Sequence, residues 1–86
     1  MRDYDRLTDA EKDAFEAGVA KFVADLKRGV FRPGLRMKGV SDHPGVFEMT
    51  WAPDRRATFQ YGPPVRPGHV HVIWRRVGSH DIFRDP

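Results

Sequence analysis

The spacing of apolar residues changes period once along this chain, and that change dictates the fold class. In the first third, Phe15, Val19, Phe22 and Leu26 stand at i, i+4, i+7 and i+11, with Ala14 and Val23 beside them. Residues so spaced fall on one stripe of an α-helix. From Val46 onward the period is two: Phe47, Met49 and Trp51 alternate with Glu48 and Thr50, and Ala57, Phe59 and Tyr61 alternate with Arg56, Thr58 and Gln60. Alternation of that kind belongs to strands with one buried face. An apolar helix stripe and an apolar sheet face bury each other, so the expected fold is α+β, a long N-terminal amphipathic helix packed on an antiparallel sheet of about three or four strands.

The helix ends are written in the same way. Thr8 followed by Glu11 reads as a capping box, which starts the helix near Asp9. Asp9, Glu11 and Asp13 suit the positive end of the helix dipole, Lys27 and Arg28 suit the negative end, and Gly29 is the left-handed stop. Gly18 lies inside the helix and costs up to about 1 kcal/mol relative to alanine unless something packs close there.

Pro33-Gly34 and the run Ser41 to Gly45 interrupt regular structure, with a short segment Leu35 to Gly39 between them. Pro53-Asp54 joins the first two long strands. The loop Gly62 to Gly68 is too proline-rich to pair in a ladder. A third strand is expected from His69 to Val77, with Val70, Val72 and Trp74 on one face and His69, His71, Ile73 and Arg75 on the other. Gly78-Ser79 reads as a two-residue hairpin turn leading to a last strand, His80 to Phe83. Met1 to Leu7 shows no apolar alternation.

The chain of 86 residues holds one core and therefore one domain, 1–86. It has no cysteine, which excludes disulfides and thiolate metal sites and leaves packing to hold the fold. No run of about 18 apolar residues is present and the first residues lack a signal-peptide core, so no membrane association and a cytoplasmic location are expected. The net charge of +3 hides an asymmetry: residues 1–26 carry seven acids against four Arg/Lys, whereas residues 27–86 carry eleven Arg/Lys against five acids. A basic half with interleaved aromatics suits a partner with a phosphate backbone.

With the apolar face under the helix, the opposite face would gather Glu48, Thr50, Arg56, Thr58, Gln60, His71 and Arg75, with His80 arriving from the last strand. Arginines, histidines and one carboxylate are the groups needed to cleave RNA by attack of a 2′-hydroxyl on the adjacent phosphate, a reaction that requires no metal and no other cofactor. A base takes the hydroxyl proton, a cation stabilises the phosphorane and an acid protonates the leaving oxygen. Arg56 or Arg75 is suited to holding the phosphate through paired hydrogen bonds. His80 is the natural acid, and Glu48 or neutral His71 the base. His69, His71 and His80 are the one set with metal-ligand chemistry, but no second carboxylate or helical ligand pair accompanies them, and no metal is expected. The aromatics Phe47, Trp51, Phe59, Tyr61 and Trp74 share the face that the helix must cover, so they read as core and not as a platform for stacking bases. No phosphate-binding glycine loop and no serine elbow is present.

Three stretches carry a family resemblance. Leu35-Arg36-Met37-Lys38-Gly39 followed by Gly45-Val46-Phe47-Glu48-Met49, then Arg56-Ala57-Thr58-Phe59, then Val77-Gly78-Ser79-His80-Asp81-Ile82-Phe83 together resemble, in order, the RelE/ParE (HigB-like) toxins of bacterial toxin–antitoxin systems. The resemblance covers about residues 35–84. It implies a RelE-like fold and the toxin of a type II pair, a ribosome-dependent mRNA endoribonuclease, with a cognate antitoxin, mRNA and the ribosome as partners. One branch of the family inhibits gyrase instead, and a basic RNA-binding or interaction domain without catalysis is the further alternative. By the same resemblance Arg56 is the phosphate-stabilising arginine, His80 an acid, and Arg36 and Lys38 hold the RNA backbone. His71, Arg76 and Arg84 complete the expected RNA-binding set. The chain departs from the family at Phe83, where many active members have tyrosine, and at Thr50, where an arginine often ends the strand.

Overall fold

Thr8 opens the long helix as its pattern requires. Its hydroxyl accepts from the Glu11 amide at 3.1 Å while the Glu11 carboxylate accepts from the Thr8 amide at 2.9 Å, a complete capping box. In the computed structural model, which describes residues 2–66 and 68–86, this helix α2 spans Asp9–Arg28 and ends at Gly29, whose φ of 79° is left-handed. A short helix α1, Arg2–Asp5, precedes it. The strands β1 (Lys38–Gly39), β2 (Val46–Ala52), β3 (Arg55–Gly62) and β4 (His71–Ser79) form one antiparallel sheet in chain order. Two 3-10 helices, Pro33–Leu35 and His80–Arg84, complete the molecule. The fold is thus the α+β arrangement expected, one long helix on a four-stranded antiparallel sheet.

The core lies between α2 and one sheet face. Phe15 and Phe22 from the helix meet Met49, Trp51, Ala57, Phe59 and Val77 from the strands, with Phe22 and Phe59 fully buried. Phe22 packs edge-on against Phe59 at a ring-centroid distance of 4.9 Å, and Phe47 and Trp74 flank Phe59 at 5.7 and 5.4 Å. The aromatics are core, as their shared face implied, although Tyr61 remains 43% exposed at the rim.

Gly18 has the close neighbour that its place in the helix called for. A Cβ there would lie 2.9 Å from Trp51 Cβ, so the glycine lets helix and sheet approach. Gly18→Ala should therefore destabilise by about 1–3 kcal/mol through overpacking, despite alanine's better helix propensity. Urea denaturation of the variant checks this, and a gain in stability would mean that the helix can withdraw at no cost.

Two expectations about the sheet are corrected. The third long strand begins at His71, not His69, and does not alternate strictly. Thr58 pairs with Arg76 and Phe59 with Trp74, so Arg75 is an unpaired bulge. With Trp74 facing the core, strict alternation would have turned Val77 outward; the bulge resets the phase and Val77 is buried. The last strand is not a strand. Ser79 ends β4, its hydroxyl accepts from the Asp81 amide at 3.4 Å, and His80–Arg84 coil into a 3-10 helix. The reason is burial: Ile82 turns back over the outer sheet face, where a Cβ on Gly78 would lie 3.1 Å from Ile82 Cγ2. Of the proline-rich loop, Pro67 lies outside the described residues.

One ion pair, of a buried carboxylate with a half-exposed arginine, was invisible to periodicity. Asp25, fully buried on α2, accepts from Arg32 Nε (2.9 Å), Arg32 Nη2 (3.0 Å) and the Arg32 amide (2.9 Å), tying the chain after the helix back to it. These hydrogen bonds and the positive charge outweigh burial and hold the Asp25 carboxyl at about 2, below its ordinary 3.8. A depressed folded-state value means stability that is present above about pH 4 and is lost as pH falls towards 2. Asp25→Asn should be less stable than the parent at pH 7, with the gap narrowing through that window. Denaturation midpoints at pH 7, 4 and 2 test it, and a gap independent of pH would contradict the assignment.

Candidate functional site

The sheet face opposite α2 carries the polar set. Cross-strand pairing puts Lys38 beside Glu48, Glu48 beside Thr58, and Thr50 beside Arg56, all on this side. Thr58 itself is fully buried, its hydroxyl accepting from the Arg76 amide at 3.1 Å. The C-terminal 3-10 helix covers that middle portion of the face and brings its own side chains to the flank.

The result is a cavity of about 370 Å³ lined by Lys38, Glu48, His43, His80 and Phe83, together with residues of the β1–β2 loop. Lys38 Nζ lies 3.6 Å from Glu48 Oε1, with the lysine side chain largely exposed and the carboxylate nearly covered. The His80 and Phe83 rings meet edge-on at 5.0 Å. Chemically the cavity combines two imidazoles, two carboxylates (Asp42 and Glu48) and an ammonium, and imidazole is the side chain best suited to moving protons near neutral pH.

Two residues along the face, Thr50 and Arg56 line a second cleft, of about 450 Å³, between α2, the first 3-10 helix and the β2–β3 hairpin. Arg56 Nη1 donates to the Arg55 carbonyl at 2.9 Å, which holds the guanidinium near its own strand. Arg36 also lines this cleft and has a left-handed backbone, φ 48°, uncommon outside glycine and asparagine. Trp51, at the cleft wall, has a buried Nε1 with no hydrogen-bond partner among the described residues.

The structure thus gathers Glu48, His80 and Lys38 in one cavity and places Arg56 and Arg36 in the adjoining one. It does not bring in the other expected residues. Bulged Arg75 donates to Gln60 Oε1 at 2.6 Å and to the Pro86 carbonyl at 3.1 and 3.2 Å, and lines neither cavity. Arg76 donates to Asp3 Oδ2 at 2.7 Å and to the Asp85 carbonyl at 2.9 Å, closing the free edge of β4. The Val77 amide donates to the same Asp3 oxygen; burial opposes the Asp3 charge, but these hydrogen bonds and the nearby arginines prevail and lower its pKa. His71 stands opposite Gly62 with its Nδ1 2.9 Å from the Pro63 carbonyl, beside the proline-rich loop, and is not a base for this site. His69 shares that loop end while His80 does not, so the three histidines do not assemble. No group of three metal-ligating side chains occurs among the described residues. Arg84 is exposed on the C-terminal 3-10 helix and outside both cavities.

His43 was missed. It sits in the turn-rich run Ser41 to Gly45, where no periodicity assigns a direction, and only the folding of that loop beside Glu48 puts it in the cavity. Its one sequence signal was a histidine close to a suspected site. No helix among the described residues is long and apolar enough to cross a membrane. No family model, no curated protein and no solved structure matches the chain.

Proposed function

We propose that this chain is the toxin of a type II toxin–antitoxin pair, a metal-independent endoribonuclease that cuts mRNA on the ribosome in the cytoplasm and is restrained by a cognate antitoxin. The observation that carries the reading is the single cavity lined by His43, Glu48, His80 and Lys38, next to the Thr50–Arg56 pair on the same sheet face. The basic C-terminal half and the ordered RelE-like motifs support it.

His43 takes the proton from the 2′-hydroxyl as its oxygen bonds to phosphorus. Arg56, with Lys38, offsets the charge of the phosphorane. His80 protonates the departing 5′-oxygen as the P–O5′ bond breaks, leaving a 2′,3′-cyclic phosphate and a 5′-hydroxyl. Glu48, held by Lys38, orients that lysine. The experiment is induced expression in a bacterial host with primer extension on a reporter mRNA, for the wild type, Arg56→Ala and His80→Ala. Growth arrest with new 5′ ends that vanish in both variants is the expected result. Toxicity that persists in both variants would sink it.

A second reading has its own support. Phe83 supplies no hydroxyl at the cavity where many active RelE-like proteins have a phenol, and a toxin that acts by binding, as the gyrase-directed branch does, needs none. Arrest without new mRNA ends selects that reading.

A further inference from the structure

The cleft beside the cavity is more cationic than a solvated edge requires. Lys21 enters it from α2, Arg36 from the segment before β1, Arg56 from β3, and Arg32 from the chain after α2, against one acid, Asp54. Arg32 is already matched by buried Asp25. Lys21, Arg36 and Arg56 have no ion-pair partner among the described residues. Three unneutralised cations around one concave space repel each other, and a bound polyanion relieves that repulsion. The Thr50 hydroxyl on the same wall adds a neutral donor.

We propose that this cleft holds the RNA phosphate next to the scissile one, so that a single-stranded backbone runs from the His43–His80 cavity, past Arg56, into the groove between α2 and the first 3-10 helix. The inference rests on the ribonuclease reading and adds Lys21, in the acidic N-terminal third, as an RNA contact. The Thr50–Arg56 pair lies both on the outer sheet face and in the cleft wall, which makes the two cavities neighbours along one path. Such backbone contacts position the strand without reading its bases. The grip belongs to the protein alone, so it is measurable without the ribosome.

The test is fluorescence anisotropy with a 2′-O-methyl single-stranded oligonucleotide, which cannot be cleaved, titrated between low and moderate salt. Lys21→Ala should weaken binding several-fold and reduce the slope of log affinity against log salt by about 0.7, one phosphate contact on a single strand. Lys27→Ala removes the same charge from the same helix outside the cleft and should leave the slope unchanged. Equal slopes for wild type and Lys21→Ala, or equal losses in both variants, overturn the cleft assignment while leaving the ribonuclease reading in place. Failure of the wild type to bind the oligonucleotide at low salt overturns the cleft, whereas failure of Arg56→Ala and His80→Ala to abolish cleavage overturns the parent reading.

Discussion

On the proposed ribonuclease reading, Arg56→Ala should slow single-turnover RNA cleavage by about 10²–10³, the usual cost of losing one preorganised donor to a developing phosphorane charge. His80→Ala should cost about 10²–10⁴, the range for a lost general acid. Neither side chain holds the core together: the Arg56 guanidinium's hydrogen bond goes to the adjacent carbonyl, and His80 is exposed. Both variants should therefore melt close to the wild type, which separates chemistry from folding. Arg56→Lys retains the charge but not the planar fork and should recover only part of the rate. Wild-type cleavage rates in Arg56→Ala, with the protein folded, would remove Arg56 from the reaction.

The largest effect on stability is expected at Phe59. Its ring is fully buried and touches Phe22, Phe47, Tyr61 and Trp74, so it joins helix to sheet and three strands to one another. Phe59→Ala should cost about 3–5 kcal/mol, combining lost burial with a cavity that four rigid rings cannot collapse to fill. Against a total of about 5–15 kcal/mol, that is a large share of the stability of a domain this small. Urea denaturation should show a lower midpoint with an unchanged slope. A loss below about 1 kcal/mol would mean that the aromatic cluster repacks.

The helix and the two central strands were legible in the sequence because their information is local. Capping, dipole charges and the 3.6 and 2 periods act between residues a few positions apart, and α2, β2 and β3 followed from them. Glu48 and Arg56 were assigned to one face for the same reason, since β2 and β3 keep the alternation, whereas Lys38 came from the family resemblance and not from periodicity.

What only the tertiary structure decided are the features that local pattern cannot encode. The bulge at Arg75 resets the phase of β4 so that Val77 joins the buried core, a demand set by the rest of that core and not by the local pattern of β4. The C-terminal 3-10 helix forms because Ile82 finds burial on the sheet at Gly78, some packing that a strand reading of His80 to Phe83 could not foresee. The Asp25–Arg32 pair joins residues of opposite charge across a helix end, where no period links them. His43 and Lys21 enter the two cavities from an aperiodic loop and from the flank of an acidic helix. Composition and periodicity therefore determined the layers and one face of the candidate site. Long-range packing determined which side chains on that face meet, because the free energy of closing a cavity depends on surfaces brought together from distant parts of the chain.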